Sequence, residues 1–288
     1  MLQLQLMKIA PSELAEAAGL TIKDARAYIK AISNEAHTGL WLLAWPDLSG
    51  CQRLLEVGAG GGLLTAFLQS RGFDLTAIEP VGQGFEATQA LRRVVSDAVS
   101  YSPRIIESEA RDLDPKQYGF FELIFSVNVI EHFQPMKENL NGLARIMAPG
   151  GVQVHTCPNY HLPYEPHYGI PLLPFAPHLS TYLLRREVSA EGLWRSLNFI
   201  TSSDLRAYAK EHGFEITFKR GTLGEECRGG LCRPSSSPVK SDRGRNARDR
   251  FDRGHQDSTA GPRDPHDRIA ARLKPGFGLE SVLRVAGH

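Results

Sequence analysis

Residues 54–62, LLEVGAGGG, constrain this chain more than any other stretch. An apolar run ends in one acid, Glu56, and breaks into glycines. That pattern predicts a buried strand, a tight turn and the start of a helix over LLTAFLQSRG. Glycine admits positive φ and lets a ligand approach backbone that side chains would otherwise cover. Gly58, Gly60 and Gly62 stand in a G-x-G-x-G spacing, whereas a dinucleotide fingerprint needs its last glycine where this chain has Leu63. A tight turn without a ligand uses the same glycines, so the loop has to be read together with the strand ends downstream of it.

Strand and helix patterns alternate after the loop. DLTAIEP reads as a second strand and FEATQALRRVVSDAV as a helix, with RIIESEA as a third strand. FELIFSVNVI is a fourth, nearly continuous in apolar residues as a strand covered on both faces must be. MKENLNGLARIM is a helix stopped by Pro149 and Gly150, and GVQVHTCPN is a fifth strand. SSDLRAYAKEHGF predicts a serine-capped helix and EITFKRGT a sixth strand. Alternation of this kind means an α/β fold: a doubly wound, mostly parallel, Rossmann-like sheet with right-handed crossovers. Upstream, residues 11–32 read as N-terminal helix with Ser12 as its cap and Gly19 interrupting it. The spacing there matches a helix-turn-helix only weakly. Its charges balance and no basic wing follows, so a helical lid or packing segment is the better reading.

The division expected is a helical segment at 1–48, a cofactor-binding domain at 49–222 and a tail at 223–288. The tail is dense in Arg, Asp, Gly, Pro and Ser and lacks apolar periodicity. Such a stretch cannot offset its ordering entropy by burial and is read as disordered or aberrant, a shifted reading frame being one cause. A net charge of +1 argues against a nucleic-acid partner, and no apolar run is long enough to span a bilayer. Four scattered cysteines without zinc-site spacing fit free thiols in the cytoplasm.

The strand ends carry the remaining signal. Glu79 closes the second strand in AIEP, beside the glycine loop, where two carboxylate oxygens can accept both hydroxyls of a ribose. Glu109 and Ala110 follow the third strand, where an adenine would lie. NVIEHF closes the fourth. All fall on the carboxyl edge of the sheet, where open α/β folds bind ligands.

Taken in order, LLEVGAGGG, AIEP, ESEARDL, FELIFSVNVIEHF and LARIMAPGGVQVHTCPN resemble the class I S-adenosylmethionine-dependent methyltransferases. The resemblance is specific over about residues 50–160 and looser to about 222. It implies that Glu56 with Gly58, Ala59, Gly60 and Gly62 faces the methionyl part of S-adenosylmethionine, that Glu79 holds the ribose and that Glu109 and Ala110 meet the adenine. Asn128 would line the floor beneath the sulfonium. The acceptor implied is a small molecule or a glycan-type metabolite, methylated at oxygen or nitrogen. An NAD-binding oxidoreductase and a non-catalytic regulator with a degenerate cofactor domain are the alternatives; the glycine spacing and the EHF…APGG context oppose the first.

A base is required only where the acceptor holds its proton at neutral pH. His132, Tyr160 and His161 are the catalytic candidates; Tyr164, Glu165 and His167, in the aromatic, proline-rich stretch 158–177, are the substrate-binding ones. Each has a plainer alternative, namely bonding the strand-to-helix turn or bracing the loop. NVIEHF also resembles the quinone-biosynthesis O-methyltransferases, some of which hold a divalent metal with acids and a histidine here. This chain has Asn128 where that branch has a further acid, and no metal is expected. The family resemblance further implies a last antiparallel strand between the fifth and sixth. LESVLRVAG, beyond the tail's polar stretch, is the sole candidate for it.

Overall fold

A computed structural model of the chain describes residues 9–43, 51–80, 86–99, 101–166, 168–184, 192–218 and 283–286. Two helices open it, α1 (Pro11–Ala18) and α2 (Ile22–Leu43). Gly19, at φ 64°, closes α1, as its freedom from a Cβ allows. Ser12 is not the cap. Ala10 holds that position and makes no side-chain bond, because Pro11 already supplies the fixed φ of a first helical residue. α2 runs well past residue 32, since Ile32, Ala36, Leu40 and Leu43 keep an apolar stripe buried to its end. Gly39 sits inside it because a Cβ there would run into Leu64.

The sheet is built from β1 (Arg53–Val57), β2 (Asp74–Ile78), β3 (Ile105–Ile106), β4 (Phe121–Val127) and β5 (Met147–Thr156), all parallel. Between them run α3 (Leu63–Gln69), α4 (Glu86–Val99), the short α5 (Pro115–Tyr118) and α6 (Met136–Ile146). β3 is shorter than its sequence pattern: pairing stops at Ile106, and Glu109 lies beyond the strand at the entry to a 3-10 turn, Ala110–Asp112. A two-residue ribbon of β6 (Tyr164–Glu165) and β7 (Ile170–Pro171) follows, then α7 (Ser180–Leu184), α8 (Gly192–Ser196), α9 (Ser202–His212) and β8 (Glu215–Phe218). The cap of α9 is Thr201 rather than a serine, in a reciprocal capping box with Asp204.

Near the C-terminus, β9 (Leu283–Ala286) falls within the candidate LESVLRVAG. It pairs antiparallel with both β5 and β8, so the order is β3-β2-β1-β4-β5-β9-β8. The candidate LESVLRVAG therefore supplies the inserted strand, and the inner side of β8 is paired. The rest of the expected tail lies outside the described residues.

Alternation along the central strands feeds two cores. Leu54, Leu123 and Phe125 pack with α1, α2, α3 and α4 on one face. Leu55, Val57 and Ile124 pack with α6 and α9 on the other. A third, smaller cluster of Tyr160, Ile170, Leu172, Trp194 and Leu197 sits beyond the carboxyl end of β5. Among the described residues no helix is long and apolar enough to cross a membrane.

Candidate functional site

The glycine loop joins β1 to α3 and is tied to the end of β2, because Gly58 and Ala59 both donate their N–H groups to the Ile78 carbonyl at 2.9 and 3.0 Å. Gly58 and Gly60 both have positive φ, 75° and 52°, but their surroundings differ. A Cβ on Gly58 would strike Val129, whereas one on Gly60 meets nothing within 4 Å. Gly58 thus lets the loop close against the end of β4, and Gly60 faces open space. Leu63, where a dinucleotide turn would need glycine, is a buried core residue.

The peptide of Gly60 is held from both sides. Its N–H donates to Glu79 Oε2 at 3.0 Å, and its carbonyl accepts from Arg92 on α4 at 3.3 Å. Burial raises the Glu79 carboxyl above its ordinary range; the Gly60 N–H and the Arg92 charge pull the other way. Glu56 is buried at the end of β1 and accepts from Thr65 Oγ1 at 2.7 Å. Desolvation pushes it up to about 8, against the lowering effect of that bond. A buried carboxyl with so high a pKa is stabilised by any cation placed against it.

A half-open cleft lies over the glycine loop, lined from below by Glu56, the 58–61 loop and Val127 and from above by Ile32, Glu35 and Ala36 of α2. Sequence reasoning offered the N-terminal helix as a lid without naming Ile32, Glu35 or Ala36, and it missed the Arg92 contact to Gly60, since none of these carries a motif. The donor set fits the expected cofactor, with carboxylates for an ammonium and a ribose beside a backbone turn cleared of side chains. Glu109, at the adenine end, has its carboxylate in a bidentate ion pair with Arg111, both contacts at 3.0 Å. Ala110 is buried behind it.

Asn128 follows β4 directly, at φ 54°, a conformation that asparagine tolerates better than most residues. Its N–H donates to Thr156 O at 2.8 Å, which holds the ends of β4 and β5 together. The turn after it, Ile130–His132, is gripped from the far end of the chain. Asn198 donates its amide to the carbonyls of Ile130 and Phe133, at 2.8 and 3.2 Å, and its N–H to Glu131 O at 2.8 Å. His132 Nδ1 lies 2.7 Å from Ser196 Oγ, whose own proton goes to Leu193 O at 2.8 Å. A hydroxyl has one proton to give: when Ser196 gives it to Leu193 O, the contact to His132 is made by Nδ1–H, the tautomer that leaves the lone pair on Nε2.

The other candidates are held differently. Tyr160 is buried, and its hydroxyl donates to Glu165 at 3.3 Å. Burial and the Glu165 charge raise that phenol far above its usual range. Glu165, wholly buried, also accepts from the Tyr168 N–H at 2.8 Å. Both ring nitrogens of His161 face serines at the start of α9, Ser202 at 3.0 Å and Ser203 at 3.2 Å. Tyr164 is exposed on the β6–β7 ribbon, and His167 lies outside the described residues. No group of three or more His, Cys, Asp or Glu is placed to hold a metal ion among the described residues. Cys51 and Cys157 are free thiols.

The model of a family described as "Methyltransferase domain" matches residues 14–218. An uncharacterized protein of Mycobacterium tuberculosis is 35% identical over 178 residues, covering 59% of this chain and 60% of the relative. A ubiquinone biosynthesis O-methyltransferase of Caulobacter sp. is 31% identical over 104 residues, covering 35% of this chain and 39% of the relative. The chain thus spans well under two thirds of the length of these curated relatives. Among solved structures, phosphoethanolamine N-methyltransferase 2 of Haemonchus contortus, in complex with S-adenosyl-L-methionine, aligns at a TM-score of 0.44. It is 19% identical, and the alignment covers 66% of this chain and 39% of that one.

Proposed function

The chain belongs to the S-adenosylmethionine-dependent methyltransferase family, and from that premise we propose that it methylates a hydroxyl of a small, ring-containing or glycan-type acceptor. The observation that carries this reading is His132. It stands on the turn after β4, three residues from the Val129 that packs on the glycine loop, with Nδ1 against Ser196 Oγ, and in the Nδ1–H tautomer Nε2 is the basic nitrogen. Bound in the cleft, S-adenosylmethionine supplies a methyl group already activated for in-line displacement.

This chain's own residues then have three tasks. Glu56, Glu79 and the Gly60 backbone hold and orient the donor. Asn128, bonded across to β5, sets the floor between donor and acceptor. His132 Nε2 takes the hydroxyl proton as the acceptor oxygen attacks, which a neutral amine would not require. A hydroxyl is further supported by the Caulobacter relative, whose name describes an O-methyltransferase. A small acceptor is supported by the apolar cluster of Tyr160, Ile170, Leu172, Trp194 and Leu197, which packs beyond the carboxyl end of β5.

We assign 49–222 as the catalytic unit with the N-terminal helices as its lid, and infer a cytoplasmic setting from the free thiols. Tyr164 and the segment around it remain the proposed acceptor wall, with Glu165 bracing it through Tyr160.

The test is methyl transfer from isotope-labelled S-adenosylmethionine to a panel of phenols, sugars, amines, protein and nucleic acid. Label should enter a hydroxyl-bearing small acceptor, and His132→Gln should lower turnover by roughly 10²-fold or more with S-adenosylhomocysteine affinity unchanged. Transfer chiefly to protein or nucleic acid would overturn the reading.

A further inference from the structure

Helix α2 carries no motif, yet it forms one wall of the donor cleft. Ile32, Glu35 and Ala36 share a face at helical spacing and line the same space as Glu56 and the 58–61 loop. Two contacts fix that face in place. Gly39, one turn further on, lacks the Cβ that would strike Leu64, so α2 lies close against α3 and the end of β4. Near the other end, the Tyr28 hydroxyl bonds Thr88 Oγ1 of α4 at 2.9 Å. The Tyr28 phenol is raised by burial against the lowering effect of the Thr88 bond, with smaller contributions from the charges of Glu35 and Glu79.

The cleft is therefore framed by acids on two walls. Glu56 lies at its floor and Glu35 at its rim, and no lysine or arginine is among the described residues that line it. Ile32, Ala36, Leu63, Leu64 and Val127 supply apolar surface between them. A charge set against such surface is less screened than one in open water. Glu79, on the opposite side of the Gly60 peptide, belongs to the ribose end. The Glu56 end is the one that suits the amino-acid part of the donor.

We propose that Glu35 is a specificity residue for the donor: helix α2 presents its carboxylate to the amino-acid end of the bound cofactor, so that Glu35 and Glu56 bracket the cationic ammonium. The assignment rests on the S-adenosylmethionine reading of the cleft. It gives the N-terminal helices a chemical function, that of rejecting nucleosides which lack the charged end. The docked helix becomes a sensor of donor identity as well as a cover.

The experiment compares two ligands by calorimetry in the full chain. S-adenosylhomocysteine carries the amino-acid end; 5′-methylthioadenosine keeps the adenosine and thioether without it. Glu35→Gln should weaken S-adenosylhomocysteine about 3- to 10-fold, the range of one partly screened charge contact, and leave methylthioadenosine unchanged. Glu35→Asp, which keeps the charge but retracts it, should fall between. Added salt should narrow the gap between wild type and Glu35→Gln. Unaltered S-adenosylhomocysteine affinity in Glu35→Gln overturns the proposal, as does equal weakening of both ligands. If the wild-type chain binds neither ligand, the cofactor reading itself fails, an outcome distinct from either.

Discussion

The proposed donor half and the proposed acceptor half of the site follow strands of one sheet, but they are assembled in opposite ways. In the donor half, Glu79 reaches back to the Gly60 N–H across 19 residues, and Thr65 reaches Glu56 across nine. In the acceptor half, Asn198 holds Ile130 across 68 residues and Ser196 meets His132 across 64. The first is local chemistry repeated along a strand-turn-helix unit. The second exists only once a distant segment has folded back. Damage to the donor half should abolish binding, whereas damage to the acceptor half should leave binding and remove turnover.

The largest break in that contrast is expected at Gly58, where the halves touch. Gly58→Ala combines a positive-φ penalty of about 1–2 kcal/mol with displacement of Val129. It should abolish S-adenosylhomocysteine binding and lower turnover together. Gly60→Ala has a similar φ but open space around the added carbon, so the ligand-free protein should lose only the backbone penalty. Thermal melting of the two variants separates the effects; equal destabilisation would mean that the halves do not meet at Gly58.

Next in size is Asn198→Leu, which takes the side-chain donor from the Phe133 carbonyl and leaves the Ile130 carbonyl only the Phe133 N–H, at about 1–3 kcal/mol for a buried unsatisfied group. Turnover should fall at least ten-fold while donor affinity stays within two-fold, by the conversion of about 1.4 kcal/mol per decade. A matching loss of affinity would show that the halves are not separable.

A smaller, graded effect comes from pH. Glu56 is raised from 4.5 to about 8 by burial, so the folded chain holds a proton there that the unfolded chain releases. Its contribution is complete below about pH 4.5 and is lost as pH rises through 8. His155, buried between Ser126 and Gln153, is lowered from 6.5 to about 3, again by burial. Its stability contribution has the opposite sign, being present above 6.5 and lost as pH falls toward 3. Melting temperature against pH should therefore fall on both sides, and Glu56→Gln should flatten the alkaline side alone. Binding of an ammonium-bearing ligand at neutral pH should also release a proton from Glu56, visible as a dependence of calorimetric enthalpy on buffer.

The smallest effect is expected at His161. Its ring nitrogens face Ser202 and Ser203 at an exposed helix start. His161→Ala should leave turnover within about two-fold, as surface changes away from the chemistry do. A much larger loss would move the proton transfer from His132 to His161.

Legibility in the sequence follows the same division. The α/β alternation, the glycine turn and Glu79 are readable because each depends on neighbours within one strand-turn-helix unit. The caps of α1 and α9 differ from the sequence pattern by small margins, since Pro11 and Thr201 compete with serines of equal local promise. The last strand is legible only as a candidate: Leu283–Ala286 is four residues long and becomes a strand only between two others already in place.

By itself, then, the sequence determined the alternation of strands and helices, the glycine turn after the first strand, and the acids at the strand ends. Periodicity and turn chemistry are properties of short windows, and the chain writes them directly. The tertiary structure alone decided that α2 walls the cleft, that Ser196 meets His132, and that the last strand pairs between β5 and β8. Those arrangements are contacts between windows. Their energy appears only when the two sheet faces have buried their cores and brought residues far apart in sequence within bonding distance.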